Sequence, residues 1–516
     1  MKKYFYERNS ELLEHPVNIT FEKALWMTKE EFRAWVIELR ETVVDLWDNK
    51  GLPPRVGYSE EGIVDQFNKI DSFPVHEFEC VDELTGENDC IRNTSVIGNA
   101  ANQFFPTMMA TKISYTLDGG ASIYDYFADP KRLDTFVTYA SRHFKRDSFY
   151  HYSNPLKLGD NEILFSESAE DWIRKFESTK RIYNTHDYWL APKKDDAEEY
   201  SGYNEALIGV EYYTLNKEQI ESLPIPEKCK TNVDYSKCET YQIRPFKLGQ
   251  KLFPIGLKAF RVSFCQYAVN FPPLTAKYLY EKYTEDLKDQ EVINVYDPSS
   301  GWGGRILGAM GIKSDRNIHY IGTDPNTDHN TENGRTKYHE LADFYNTRTY
   351  RSESLFPHVN TYEIFQDGSE VIRDNPAFQK YKGNLDFIFT SPPYFAKEVY
   401  SQDPTQSCHK FQSYDSWRDG FLRPTLETCV EWLKCNRYMA WNIADVDIGK
   451  DRLPLEQDSI NILESLGMKY ITKLKMVLAP MPGSNRIVDG KPKFKNFCKI
   501  NGKFFKFEPV YIFFKP

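Results

Sequence analysis

The second half of this 516-residue chain predicts an α/β domain built on a mostly parallel sheet. Two observations predict it. From about Lys247 onward, short runs rich in Val, Ile, Tyr and Phe alternate with helix-length stretches, the order that strand–helix crossovers produce. The successive runs also end in residues suited to hold a ligand, as expected where an open sheet presents its carboxyl ends to a crevice. Residues 1–247 lack this rhythm and predict a mixed α+β region of another kind, so the sequence divides into 1–247 and 248–516.

The front region opens with a helix. Thr28 and Glu31 have capping-box spacing, and Phe32, Trp35, Val36, Leu39, Val43, Leu46 and Trp47 follow at helical intervals. Gly51 and the Pro53-Pro54 pair end it. A second, shorter helix is predicted from Ser59 to about Ile70. Two helices across a turn suit either DNA reading or plain packing. RHFKRDSFYHY (142–152) interleaves cations with aromatics, as a nucleic-acid groove or an ordinary amphipathic element would. APKKDDAEEYSGYNE (191–205) reads as a loop. Cys229 and Cys238 are too far apart for a zinc knuckle, and no metal site is expected.

In the second half, VINVYD (292–297), HYIGTD (319–324), YEIFQD (362–367), DFIFTS (386–391) and RYMAWNIAD (437–445) read as five buried strands. RILGAM forms a short helix after the first, and a polar helix from about His329 to Tyr345 follows the second. Trp417, Phe421, Leu422, Leu426, Val430 and Leu433 make a helical stripe that Pro424 interrupts. KYITKLKMVLA (469–479) and PVYIFFK (509–515) are two final strands, joined by a long basic loop.

Composition removes several classes. Aromatics make up 15% and charged residues 27%, which excludes a disordered chain. Mean hydropathy is −0.60, and no apolar run approaches the ~20 residues of a membrane span. The basic start has no apolar stretch behind it, so no secretion signal is expected. Nine scattered cysteines predict reduced thiols and a cytoplasmic setting. Net charge is −10, yet Lys469–Pro516 holds eleven Lys or Arg against Asp489 and Glu508. Phosphates respond to such a local patch rather than to the sum.

The chemistry concentrates at the strand ends. The first ends in Asp297-Pro298-Ser299-Ser300-Gly301-Trp302-Gly303-Gly304-Arg305, whose glycines let backbone approach a ligand. The turn is followed by no Gly-Lys-Ser/Thr, so it is not a phosphate-cradling loop. Asp324 ends the second strand, where a carboxylate suits ribose hydroxyls. Asp367 ends the third. Ser391-Pro392-Pro393-Tyr394 ends the fourth. Taken singly, each is also consistent with a tight turn or a solvent-facing acid; their ordered succession is not.

DPSSGWGGR followed by TSPPYF resembles the S-adenosylmethionine-dependent amino-methyltransferases of DNA. The likeness covers roughly residues 265–516. It implies a Rossmann-like seven-stranded methyltransferase sheet ending in an antiparallel strand pair. It implies S-adenosyl-L-methionine as cofactor, with Phe271 and Pro272 closing over its methionine end. Asp297, Pro298, Ser299, Gly301, Trp302, Gly303 and Arg305 would surround that end, Asp324 would bind the ribose, and Asp367 the adenine amino group. Ser391 and the Pro392 carbonyl would grip the target amine, Pro393 would shape the turn, and Tyr394 would stack on the base. The partner implied is duplex DNA with the target base flipped out, and a restriction partner is compatible with the family. Ser before Pro-Pro favours cytosine N4 over adenine N6. No cysteine follows a proline in the manner of carbon-5 enzymes.

Such a core supplies a pocket but not sequence recognition. Residues 1–247 and the Lys/Phe-interleaved segment from Arg486 to Lys506 are the candidates for that task. The alternatives are an RNA amino-methyltransferase, a glutamine-methylating enzyme, which usually carries Asn where Ser391 stands, and a non-catalytic DNA-binding module.

Overall fold

The computed structural model of the chain describes residues 10–19, 23, 27–51, 53–54, 59–93, 95–113, 120–140, 188–190, 213–216, 218, 240–245, 251–253, 268–312, 317–331, 334–349, 360–478, 487–488, 491–492 and 495–516. Two compact units emerge. One comprises Met1–Arg8, Gly57–Ile123 and Gln266–Pro516, the other Asn9–Val56 and Tyr124–Cys265. The division at residue 247 therefore needs correcting: residues 57–123 belong to the same body as the C-terminal half. Their apolar side chains found their partners in the later sequence, a long-range fact that local patterning does not carry.

In the smaller unit, helix α1 (Lys29–Lys50) has the expected Thr28–Glu31 capping box and ends at Gly51 in the left-handed region. Its buried stripe includes Phe32, Trp35, Val36, Leu39 and Val43. Arg40 is buried too, donating through Nε to the Tyr126 carbonyl at 2.9 Å. Tyr188–Leu190, Thr240–Pro245 and Tyr213–Asn216 form an antiparallel three-stranded sheet with the middle named strand at its centre. The segments 142–152 and 191–205 and the Cys229/Cys238 pair lie outside the described residues.

In the larger unit, helix α2 (Glu60–Ser72) is capped by Ser59. It buries Ile63, Phe67 and Ile70 in the main core beside Phe104, Phe344 and Tyr345. The two early helices thus belong to different units, and the inner face of α2 is spent on packing. The short strands β1 (Glu79–Cys80), β2 (Cys90–Ile91) and β3 (Lys112–Ile113) follow. Helix α3 (Pro273–Tyr283) precedes β4 (Ile293–Asp297), helix α4 (Gly304–Met310), β5 (Ile318–Thr323), helix α5 (Lys337–Arg348) and β6 (Thr361–Phe365). Next come β7 (Leu385–Thr390), β8 (Glu398–Val399), helix α6 (Arg423–Trp432) and β9 (Leu433–Asn442). Helix α7 (Leu455–Ser465), β10 (Lys469–Val477), β11 (Phe497–Ile500) and β12 (Lys503–Lys515) complete the unit.

The sheet order is β1-β2-β10-β12-β9-β7-β4-β5-β6, with β11 paired to β12. Neighbours from β9 to β6 are parallel, and β12 runs antiparallel to both β9 and β10. This is a Rossmann-like α/β fold in which the seven expected strands are joined by β1, β2 and β11. Successive residues face opposite layers, as a period of two requires. Val295, Phe387 and Ile512 enter the core under α2, α3, α4 and α5. Their neighbours Tyr296, Ile388 and Phe513 enter the one under α6 and α7. The order reverses direction beside β4, which puts the carboxyl ends of β4 and β7 at the switch point where such sheets bind ligands.

Two local differences from the sequence reading have clear causes. The basic stretch before residue 509, read as loop, forms a hairpin of β11 and β12. Asn501 and Gly502 both take positive φ, 50° and 73°, as a tight two-residue turn demands. The stripe broken by Pro424 is a helix at 414–417, a π-turn at 418–422 and then α6, with the proline in the first turn of α6. There its missing N–H costs little.

The β1–β2 pair extends the sheet past β10, with β2 parallel to it. A buried ion triad fixes it: Lys475 Nζ lies 2.7 Å from both Asp82 Oδ2 and Asp89 Oδ2. Burial opposes the charge on Asp82, but the Lys475 ammonium prevails and holds its carboxyl below the usual range.

Candidate active site

The turn after β4 is built from beneath by Asp297. Its buried carboxylate accepts from Arg305 Nε at 2.8 Å, the Tyr320 hydroxyl at 2.7 Å and the Thr390 hydroxyl at 2.7 Å. The Ser299 N–H adds a fourth donor at 3.2 Å. Arg305 also reaches the Ser299 carbonyl. Burial works against the Arg305 charge, yet Asp297 holds the guanidinium above its ordinary value. Asp297 is thus wholly committed to protein partners, and its part is to brace the turn.

Gly303 has φ +76°, and a Cβ there would meet Phe105 at 2.5 Å. At Gly304 a Cβ would stand 2.0 Å from the Phe271 carbonyl oxygen. Only glycine allows both approaches. Asn270 links the segment before α3 to the turn, accepting from Gly304 N at 3.2 Å and donating to the Trp302 carbonyl at 2.8 Å.

Asp324 at the end of β5 accepts from the Tyr338 hydroxyl at 2.7 Å and the Asn326 N–H at 2.9 Å. The same hydroxyl lies 2.5 Å from the Gly301 carbonyl, so Tyr338 bridges the first two strand ends. His329 is buried behind them, between Tyr338 at 3.0 Å and Thr107 at 3.1 Å. Burial pushes its pKa down, so it stays neutral.

On the other side, β7 ends in Ser391-Pro392-Pro393-Tyr394. The next residue, Phe395, takes φ +52°, rare for a bulky side chain. Tyr414 and Trp417 hold its ring. The strain, about 1–3 kcal/mol, turns the chain sharply away from the tetrapeptide. The Tyr394 hydroxyl donates to Glu508 Oε1 at 2.5 Å and lies 3.3 Å from the Asn442 carbonyl. Burial, reinforced by Glu508, pushes its pKa well up, so the hydroxyl keeps its proton.

Both halves line one cavity of about 690 Å3, inside the ~300–1,000 Å3 range of small-molecule sites. Phe271, Pro272, Pro298, Ser299, Gly301, Trp302, Arg305 and Asp324 face it, as do all four residues from Ser391 to Tyr394. Asp297 and Gly303 sit behind the wall. Asp367 is not part of the lining either: its carboxylate accepts from Asn375 Nδ2 at 2.7 Å, and Gly368, Ser369 and Glu370 line the cavity in its place.

Sequence reasoning missed several lining residues. Asn93, Ser95, Val96, Asn99 and Ile113 come from the front of the chain. Asn326 and His329 follow Asp324, and Tyr400 packs edge-on to Trp302 with ring centroids 5.4 Å apart. Glu398 and Glu508 also face the space. The only signal for Glu508 was its position as the one acid in an otherwise basic strand. Among the described residues, one group of potential metal ligands lies close together, Asp82, Asp89 and Cys90. Lys475 Nζ is already ion-paired with both of its acids. No helix among the described residues is long and apolar enough to cross a membrane.

No protein-family model matches the chain, and no curated protein matches it. Solved structures do. One is a Thermus thermophilus protein described as a candidate DNA modification methylase, at 18% identity over 29% of this chain and 50% of that one, TM-score 0.19. The same protein is known in complex with S-adenosyl-L-methionine, at 18% identity over 29% and 52%, TM-score 0.18. Another is an S-adenosylmethionine-dependent methyltransferase of Methanosarcina mazei, at 10% identity over 46% and 96%, TM-score 0.26. The match thus spans about half the length of the Thermus protein. Similarities this slight carry no weight on activity; the fold rests on the strand order itself.

Proposed function

We infer that this chain is a methyltransferase that moves a methyl group from S-adenosyl-L-methionine to the exocyclic amine of a base flipped out of duplex DNA, cytosine N4 ahead of adenine N6. One observation carries the reading: the glycine turn after β4 and the Ser-Pro-Pro-Tyr turn after β7 open into the same cavity.

The residues present suit the donor. The cavity wall offers backbone at Pro298–Gly301, a carboxylate at Asp324 for vicinal hydroxyls, and apolar Phe271, Pro272 and Trp302. When bound, the donor supplies an electrophilic methyl on a sulfonium. The chain's own work is positioning. Ser391 Oγ and the Pro392 carbonyl are the acceptors for the two amine hydrogens, a grip that favours the pyramidal nitrogen with an available lone pair. Proline has no N–H to compete there. Alignment and fixed dipoles then provide most of the rate. Flipping the base costs a few kcal/mol, and stacking on Tyr394 returns ~1–3 kcal/mol of it. Lys506 lines the cavity, Lys495 and Lys503 are exposed on the same C-terminal segment, and all three suit phosphate contact. The unit of Asn9–Val56 and Tyr124–Cys265 and the basic segment from Arg486 to Lys506 are the candidates for sequence recognition.

Incubation of the full chain with tritiated S-adenosylmethionine and, separately, duplex DNA, tRNA and protein tests the reading. Label is expected in DNA, in a base that digestion identifies as N4-methylcytosine. Label confined to tRNA or protein, or no transfer with the donor bound, overturns it.

A further inference from the structure

Methyl transfer to a neutral amine leaves a proton to dispose of. As the nitrogen forms its bond to the methyl carbon, the carbon–sulfur bond breaks and its electron pair stays on sulfur, giving a thioether. The nitrogen then carries one hydrogen too many and a positive charge. Ser391 and the Pro392 carbonyl can accept hydrogen bonds but are not bases. The tetrapeptide here has no carboxylate.

Among the described residues lining the cavity, four bear carboxyl groups: Asp324, Glu370, Glu398 and Glu508. Asp324 has both oxygens engaged, by Asn326 N and the Tyr338 hydroxyl. Glu370 is paired with Lys410 Nζ at 2.6 Å. His329 has both ring nitrogens in hydrogen bonds. The remaining two differ. Glu508 Oε1 receives the Tyr394 hydroxyl at 2.5 Å, and Glu398 Oε2 receives the Tyr400 hydroxyl at 2.6 Å. Both residues line the cavity, and the charge of Glu508 acts on Glu398.

We propose that Glu398 and Glu508 act as a carboxylate pair that takes the surplus proton from the methylated amine. The proposal rests on the amine-methylating reading above. The nitrogen–hydrogen bond breaks toward nitrogen, which becomes a neutral secondary amine, and one carboxylate becomes a carboxylic acid. That acid returns its proton to water when the product leaves.

The surroundings fit such a base. Burial raises the affinity of both groups for a proton. Tyr394 and Lys506 act against this at Glu508. At Glu398, Tyr400 and Lys397 act against it while Glu508 reinforces it. A nearby like charge makes a carboxyl hold its proton more firmly, which is the effect of Glu508 on Glu398. The ionised pair is the working form, so transfer should slow as pH falls through a value above the ordinary ~4.3 of glutamate.

The test is single-turnover label transfer by the full chain from tritiated S-adenosylmethionine to DNA, measured across pH, with donor affinity measured in parallel. Glu508→Gln and Glu398→Gln should each slow transfer at least tenfold, and the double variant more, with donor affinity within twofold. The acid-side fall in rate should vanish in the double variant. Tyr394→Phe breaks the bond to Glu508 but leaves the carboxylate, so it should keep that fall. Glu508→Asp, which restores a carboxylate, should keep it too and serves if a Gln variant does not fold. A double Gln variant as fast as wild type, or one that retains the acid-side fall, overturns the proposal. So does a Tyr394→Phe variant that loses it, since the glutamate would then act only by orienting the ring. Wild type that binds donor yet labels no DNA refutes instead the underlying reading.

Discussion

The two halves of the cavity treat their acids in opposite ways. On the β4–β5 side, Asp297 is saturated with four donors and Asp324 with two, all from the protein. On the β7–β12 side, Glu398 and Glu508 are each bound through one oxygen, to a tyrosine. The first arrangement makes a frame whose acids are hydrogen-bonded before any ligand arrives, Asp297 with Arg305 as its counter-charge. The second keeps acceptor capacity in reserve, at a cost in stability, as is common where groups must change protonation. A wall that binds an intact molecule can be finished in advance; a wall that takes part in proton movement cannot.

This contrast can be broken or sharpened experimentally. The largest effect is expected at Asp297. Asp297→Asn would leave the buried Arg305 without its counter-charge, at about 3–5 kcal/mol, read as a lower urea midpoint with no ligand present. If the variant is as stable as wild type, the frame is not what the carboxylate provides. Next, Tyr394→Ala should cut transfer at least 100-fold, about 2.7 kcal/mol, while donor affinity by calorimetry stays within a factor of about two. Asp324→Ala should do the reverse, weakening donor binding by roughly tenfold, about 1.4 kcal/mol. If each variant shifts both quantities equally, the halves are not separable.

A smaller effect concerns pH. Glu398 and Glu508 have folded-state pKa values raised by burial. Such groups contribute stability below their unfolded value of ~4.3 and lose it as pH rises through the folded value. The double Gln variant should therefore melt above wild type at pH 8 and lose that advantage on acidification. Asp82 has the opposite sign, with its folded pKa lowered. Its contribution is present above ~3.9 and disappears as pH falls. Smallest, each charge removed at Lys495, Lys503 or Lys506 should reduce the salt slope of DNA binding by about 1.

Much of the sheet was legible in the sequence because buried parallel strands announce themselves as continuous apolar runs. The five parallel strands appear within a few residues of where Val, Ile, Tyr and Phe concentrate, and the tetrapeptide follows the fourth as read. The strand ends were legible for the same reason: a motif locked to a strand terminus has a fixed place in the fold. Three kinds of feature were not. The partnership of 57–123 with the distant C-terminal half depends on contacts such as Lys277 Nζ donating to the carbonyls of Ile70 and Asp71, about two hundred residues apart. Asp367 looked equivalent to Asp324 by position, but its carboxylate turns to Asn375. Glu508 lay hidden in a segment whose most visible property was positive charge. In each case the deciding information is which side chain meets which across long chain separations.

The β1–β2 pair has a further consequence for solubility. A strand at the end of a sheet offers a row of unpaired amides on which another chain could polymerise. Here the nine-residue β10 pairs at its inner end with the two-residue β2, which is followed by the equally short β1. Too brief to template growth, this stub is pinned by the Lys475 triad and caps that border at Lys475 and Met476, the two residues of β10 it pairs with.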